Sequence, residues 1–210
     1  MKIEFFHDVI CSFCFPMSYR MRQLKERRPE IQIIHRSFAL VPEVEAFDKM
    51  FGNRESSKAE ILTHWEQANE NDDLHRFNID GMRKSDFLFP ISIPALRAVK
   101  AAEYLGGDEI AWDVFDALQN ALFVQNKNVE DIDVIKEAVS TTDIDLEKWE
   151  QAFNNPVSLD GVYRDFELAG SYGISSVPFI VIDGKYGLSG AQSLSKIEET
   201  INNIIEEQTI

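Results

Sequence analysis

Cys11 and Cys14 are the only cysteines in 210 residues, and they stand three positions apart. They follow a short apolar run containing Ile3, Phe5 and Phe6, which suits a buried strand. They precede a stretch in which Met17, Met21 and Leu24 recur at helical spacing. A cysteine where a strand gives way to a helix lies beside unpaired backbone N–H groups and the positive pole of the helix, and both favour the thiolate. The thiolate is the nucleophile of disulfide exchange, and a second sulfur one helical turn on can attack the mixed disulfide that results. Two intervening residues, Ser12 and Phe13, let the sulfurs come within bonding range without unwinding the helix. The pattern therefore assigns Cys11 as nucleophile and Cys14 as resolving residue. A disulfide-stapled secreted domain would use more cysteines, spaced more widely. A zinc site would need His7 and His35 as its remaining ligands, at a spacing that matches no common zinc pattern, so no metal is expected.

A second signal is Ser176-Val177-Pro178 just before the apolar run Phe179 to Ile182. Proline cannot donate to a strand ladder and belongs at a strand's first position. With a cis peptide bond the Val177 backbone would be presented edge-on, and a substrate chain could pair with it as an added strand. A trans proline simply starting the strand is the plainer reading of these residues alone. His7, His35, His64 and His75 are scattered and read as strand or surface residues. Trp65, Trp112 and Trp149 fall on helical patterns as core or groove-lining residues, and Phe87 and Phe89-Pro90 are expected to border a groove near the cysteines.

The elements that must position these residues can be read along the chain. The run Lys2 to His7 is a strand, a helix follows the cysteines until Pro29 stops it, and isoleucine-rich Ile31 to Phe38 is a second strand. Strand, helix and strand in under forty residues imply a parallel pair joined by a right-handed crossover. The middle is helical, over 56–71, 94–106, 109–125, 128–140 and 145–154, with Pro94 near one start and Gly106-Gly107 at that helix's end. After Asn155-Pro156 another helix runs towards Gly173. Phe179 to Ile182 and Tyr186 to Ser189 form a hairpin around Asp183-Gly184, and a helix from Leu194 to Glu207 follows. The order predicts an α/β fold in which a mixed sheet is flanked by helices. Residues 1–50 and 156–210 make one discontinuous domain, and 51–155 an inserted all-α domain.

Acidic residues outnumber basic ones 36 to 21, for a formal charge of −15. Nucleic acid and anionic membrane surfaces are excluded as partners on that balance. Residues 1–54 carry nine Lys and Arg against seven Asp and Glu, so the acidity belongs to the rest of the chain, as solvated helix faces. No run of eighteen apolar residues occurs, and Glu4, His7 and Asp8 interrupt the only stretch near the start that a secretion signal would use. The expected location is the cytoplasm.

The segments EFFHDVICSFC and GISSVPFIVIDGKYGLSGAQS, with a helical insertion between them, resemble thioredoxin-fold oxidoreductases of the DsbA type, most closely their cytoplasmic FrnE-like branch. The resemblance spans nearly the whole chain and implies that Val177-Pro178 is a cis-proline loop facing the cysteine pair and holding substrate polypeptide. It also implies that an acidic residue in the first strand relays protons to the resolving cysteine. Glu4 is the matching candidate, with a raised pKa if it is buried and no such role if it faces solvent. Relatives usually place proline and then an aromatic residue or histidine between the cysteines. Ser12-Phe13 offers no imidazolium to the Cys11 thiolate, so a less oxidising disulfide is expected here.

The function these readings support is a thiol–disulfide oxidoreductase, run as a reductase or isomerase on disulfide-containing proteins or small molecules. It would need no cofactor beyond the Cys11–Cys14 pair, with glutathione or thioredoxin as electron partner, and would act as a monomer or homodimer. Two alternatives come with the resemblance. Kappa-class glutathione transferases and hydroxychromene-carboxylate isomerases share such a fold but place serine first in the motif. Some bacterial thioredoxin-fold proteins are non-enzymatic protease adaptors.

Overall fold

The computed structural model describes residues 1–209 of the chain. Strand β1 (Lys2–His7) leads to helix α1 (Cys14–Arg27) and strand β2 (Gln32–Ser37). β1 and β2 pair in parallel, from Lys2 opposite Gln32 to His7 opposite Ser37. A strand and its successor can lie parallel only when a crossover carries the chain back, and α1 is that crossover. Strands β3 (Phe179–Ile182) and β4 (Tyr186–Ser189) add antiparallel pairs, so the sheet is mixed and ordered β2-β1-β3-β4. β1 is therefore an interior strand, and the loop bearing Cys11 leaves from the middle of the sheet. Asp183 and Gly184 take φ of 49° and 68°, and the Lys185 N–H donates to the Ile182 carbonyl. These are the dihedrals of the tight hairpin turn that an Asp-Gly pair adopts readily.

Between β2 and β3 lie α2 (Glu45–Phe51), α3 (Arg54–Asn71), α4 (Ile79–Lys84), α5 (Ile93–Phe123), α6 (Ile132–Val139), α7 (Leu146–Asn154) and α8 (Pro156–Ser171); α9 (Leu194–Thr209) follows β4. Side chains of Asn53, Asp131, Asp145 and Asn155 accept the first free N–H groups of α3, α6, α7 and α8. The two helices expected over 94–106 and 109–125 form one element broken by Gly107, whose φ of 76° and ψ of −165° interrupt the axis. α2 and α4 escape the sequence reading, since one or two turns are too short to display a period.

Ile3, Phe5 and His7 point to one face of the sheet, where Phe5 meets Phe115 of α5 edge-on with centroids 6.4 Å apart. Glu4 and Phe6 point to the other, where Phe6 meets Tyr172 at the end of α8. The cluster on the first face runs continuously from Phe5 through Met17 and Leu118 to Trp65 and Trp149, so the helices after β2 share one apolar core with the sheet. Trp65, Trp112 and Trp149 are all buried in it. A smaller cluster of Phe6, Ala169, Ile174 and Val181 seals the second face.

Candidate active site

Three successive turns deliver the cysteines from β1 to α1. The Asp8 carbonyl accepts the Cys11 N–H at 3.2 Å, the Cys11 carbonyl accepts the Cys14 N–H at 3.1 Å, and the Ser12 carbonyl accepts the Phe15 N–H at 3.2 Å. Phe13 occupies the N-cap position of α1 and contributes no side-chain cap. The Cys14 N–H also lies 3.2 Å from the Cys11 sulfur, a donor aimed at the atom that would carry negative charge. On its other side the Cys11 sulfhydryl lies 3.6 Å from the Val177 carbonyl oxygen, and the Val177–Pro178 peptide bond is cis. The structure thus brings Cys11, Cys14, Ser12, Phe13, Val177 and Pro178 into one place. Both cysteines are free thiols. Cys11 keeps 4 % of its surface exposed and Cys14 none, so Cys11 alone meets solvent.

Burial pushes the Cys14 thiol well above its usual range, and the hydrogen bond and charge of Cys11 and the charge of Asp8 push it the same way. Asp8 is the residue that sequence reasoning missed; it figures there only as a charge that interrupts the apolar stretch near the start. Its side chain is fully buried. One carboxylate oxygen accepts the Ser92 hydroxyl at 2.6 Å and the Leu40 N–H at 2.7 Å, and the other accepts the Ile10 N–H at 3.3 Å. Burial raises its pKa to about 6 against the pull of these donors. Gln119 of α5 is also buried, and its amide nitrogen sits 3.4 to 3.5 Å from the carbonyls of Asp8, Val9 and Cys11. It braces the loop from more than a hundred positions away, which no local pattern announces.

Glu4 is corrected. It is buried, but on the α8 face, where Arg36 donates to it at 2.7 and 3.0 Å and the Tyr172 hydroxyl at 2.9 Å. Burial pushes its carboxyl up, yet the Arg36 and Tyr172 hydrogen bonds outweigh that and hold it below the usual carboxylate range. A carboxylate so stabilised is a poor proton acceptor, and Asp8 is the acidic group electrostatically linked to Cys14. Glu4→Gln is expected to leave disulfide-exchange rates within about twofold while lowering stability by about 1–3 kcal/mol, because Arg36 loses a charged partner in a nearly dry setting. Stopped-flow exchange and urea denaturation check this; slowed exchange with unchanged stability would restore the relay to Glu4.

The histidines divide by burial. His7 of β1 and His35 of β2 are buried strand residues, with His7 Nε2 2.7 Å from His35 Nδ1, and their outer ring nitrogens have no hydrogen-bond partner. Burial holds both imidazoles well below their usual range, so the pair is neutral. The facing nitrogens are spent on each other, and no group of three His, Cys, Asp or Glu among the described residues is placed to hold a metal ion. His64 and His75 are exposed.

A cavity of about 410 Å³ opens beside Cys11. One wall is Ile10, Ser12, Phe13, Leu40, Val41 and Val177; helices α2 and α3 supply Met50, Phe51, Ile61, His64, Trp65 and Gln67, and Phe89 closes the end. Phe89 thus borders the groove as expected, whereas Phe87 and Pro90 are not among its lining residues.

Comparison with known proteins places the chain among thioredoxin-like folds. The family described as the DSBA-like thioredoxin domain matches residues 2–202. Among solved structures, a candidate protein disulfide isomerase from Nitrosomonas europaea superposes with a TM-score of 0.80, covering 98 % of both chains at 17 % identity. The cytosolic disulfide reductase DsbM from Pseudomonas aeruginosa superposes with a TM-score of 0.71, covering 96 % of this chain and 99 % of that one at 16 % identity. The ClpXP adapter protein SpxH of Bacillus subtilis (strain 168) is 22 % identical over 99 % of this chain and 69 % of its own length. Likeness at these identities establishes the fold and leaves the chemistry to the residues. No helix among the described residues is long and apolar enough to cross a membrane.

Proposed function

Because this chain belongs to the DSBA-like thioredoxin domain family, we propose that it is a thiol–disulfide oxidoreductase working through Cys11 and Cys14. The observation that carries the reading is the asymmetry of the pair: the Cys11 sulfur meets solvent between the Cys14 N–H and the Val177 carbonyl, and Cys14 is closed off behind it. The Cys11 thiolate attacks one sulfur of a substrate disulfide, forming a mixed disulfide and releasing the other substrate sulfur as a thiolate. Cys14 then gives up its proton, for which the Asp8 carboxylate is the acceptor at neutral pH. Its thiolate attacks the Cys11 sulfur, the Cys11–Cys14 disulfide forms, and the second substrate thiolate leaves. Two electrons have passed from protein to substrate, and a thiol reductant such as glutathione or thioredoxin returns them. Substrate polypeptide lies along Val177-Pro178, whose backbone offers strand-type pairing. Protein disulfides are the substrates of this reading and the cytoplasm its location, where a reducing poise favours reductase or isomerase turnover.

A Cys14→Ala variant tests the proposal. It is expected to stop after the first step, so mixed disulfides on Cys11 should accumulate and be identifiable by mass spectrometry. Equilibration of the unmodified protein in thiol redox buffers should give a reversible Cys11–Cys14 disulfide. Failure to form one at any poise would overturn the reading.

The likeness to SpxH favours a second reading, in which the fold presents a partner to a protease and the thiols are dispensable.

A further inference from the structure

We infer that Ser92 is a positioning residue for the resolving step, its hydroxyl holding the Asp8 carboxylate charged and in place for the Cys14 proton. The inference rests on the redox reading above and concerns what keeps the proton acceptor empty at neutral pH. Ser92 is fully buried at the start of α5. A serine there ordinarily accepts a free N–H of the helix's first turn, yet Ser92 makes no such bond. Its hydroxyl is committed elsewhere. The Val41 N–H donates to the Ser92 oxygen at 2.9 Å, and the Ser92 N–H donates to the Val41 carbonyl at 2.8 Å, so the residue is pinned to the segment after β2. A hydroxyl has one proton to give, and a carboxylate only accepts. Ser92 gives that proton to Asp8 at 2.6 Å, a length typical of a hydroxyl bound to a charged oxygen.

Among the described residues Ser92 is the one side chain that donates to Asp8; Leu40 and Ile10 reach it with backbone N–H groups. The Ser92 bond is strongest while Asp8 is charged and loses its charge assistance once Asp8 is protonated, so it favours the charged form. Burial works against it and lifts the Asp8 pKa to about 6, just below neutrality. Without the hydroxyl, Asp8 would already hold a proton in the neutral range and could not take the one from Cys14. Nothing beside it is placed to compensate. Leu40 and Val41 after β2, and Ser92 and Gln119 of α5, carry no charge, and Lys100 of α5 is held by Asp165 and Glu103. The titratable groups of its own segment are His7, neutral against His35, and the thiols of Cys11 and Cys14, whose ionisation would raise Asp8 further.

Ser92→Ala tests this in the reduced full chain by two readouts. Dipyridyl disulfide releases one pyridinethione when Cys11 attacks it and a second when Cys14 resolves, so the second phase times the resolving step. Carbon NMR of the Asp8 carboxyl follows its protonation with no redox chemistry. Loss of a hydrogen bond to a charged group is expected to move both inflections up from about 6 by about 1 to 2 pH units. Near neutral pH the variant should resolve several-fold more slowly than the parent, and the gap should close as pH rises past the new inflection. A merely structural role would slow resolution at every pH and leave both inflections where they were. Ser92→Thr keeps the hydroxyl and should bring them back, and in an Asp8→Asn background Ser92→Ala should add no pH dependence. Ser92→Ala also strips the buried Val41 N–H of its acceptor, so a measurement on the unmodified protein stands beside it: the Ser92 side-chain carbon resonance should titrate together with the Asp8 carboxyl. Unmoved inflections in folded Ser92→Ala, an equal shift in Ser92→Thr, or a Ser92 resonance indifferent to Asp8 would each overturn the inference. If no second pyridinethione is released at any pH, the redox reading itself is wrong; if resolution proceeds and its inflection stays put in Ser92→Ala, only the role of Ser92 fails.

Discussion

Cys11→Ser is expected to fold as the parent protein does and to lose thiol–disulfide exchange by at least about a thousandfold, since a hydroxyl at neutral pH supplies no nucleophile comparable to a thiolate. The substitution is nearly isosteric. It keeps the Cys11 backbone bonds to Asp8, Cys14 and Gln119, and the serine oxygen can still accept the Cys14 N–H. Stability is therefore expected to change by no more than about 1 kcal/mol. Exchange kinetics beside a denaturation curve make the measurement. The same variant discriminates the two functional readings in the cell. A phenotype that survives Cys11→Ser belongs to an adaptor, for which the sulfur is incidental, and one that disappears belongs to the oxidoreductase.

Asp8→Asn carries the second large effect, on two observables with separate causes. On the proposed reading Asp8 accepts the Cys14 proton, and its amide should slow the resolving step by about 10- to 100-fold. The parent protein's resolution rate should rise with pH through an inflection near the Asp8 value of about 6, and the variant should lose that inflection. The stability effect has the opposite sign. A carboxyl with a folded pKa of about 6 and an ordinary value of 3.8 binds its proton more tightly when folded. Stability from this group is complete below 3.8 and declines as pH rises through 6. Above that, the buried charge costs about 3 kcal/mol as an upper bound. The amide that replaces it has no charge to bury, so the variant's stability should not decline over this window.

His7 and His35 contribute an opposing trend, because imidazoles held neutral in the core lose stability as pH falls below their unfolded value near 6.5. Both proteins share that trend, so the difference between their pH–stability curves isolates Asp8. An unaltered resolution profile in Asp8→Asn would remove Asp8 from the proton path.

The cysteine pair was legible because its chemistry is local. Three residues of spacing at a strand-to-helix junction bring Cys11 within reach of the first N–H of α1 whatever the remainder of the chain does. The Asp-Gly hairpin and the parallel β1–β2 pair were legible for the same reason, since each depends on turn chemistry or crossover length within forty residues. The setting of the two acidic residues was not. β1 is interior, and from Ile3 to His7 every residue is buried on both faces. No alternation of apolar and polar residues then tells which side Glu4 takes, and the choice fell to Arg36, thirty-two positions away, which holds it under α8.

What the sequence determined by itself is the placing of Cys11 and Cys14 at a strand-to-helix junction, the order of the strands and longer helices around them, and the chain's acidic character. Only the tertiary structure decided that Arg36 and Tyr172 take up Glu4, that Asp8 is buried and electrostatically coupled to Cys14, that Gln119 braces the Cys11 loop, and that no lysine, arginine, aspartate or glutamate among the described residues lines the groove beside Cys11. Each of these depends on groups brought together by packing: Ser92 and Leu40 on Asp8, α5 on the loop, and α3 against the Val177 segment. Local spacing sets where a sulfur sits on its own helix. Which charge, donor or apolar wall faces that sulfur is set by burying the apolar surfaces of distant segments against one another, and a linear pattern does not carry that information.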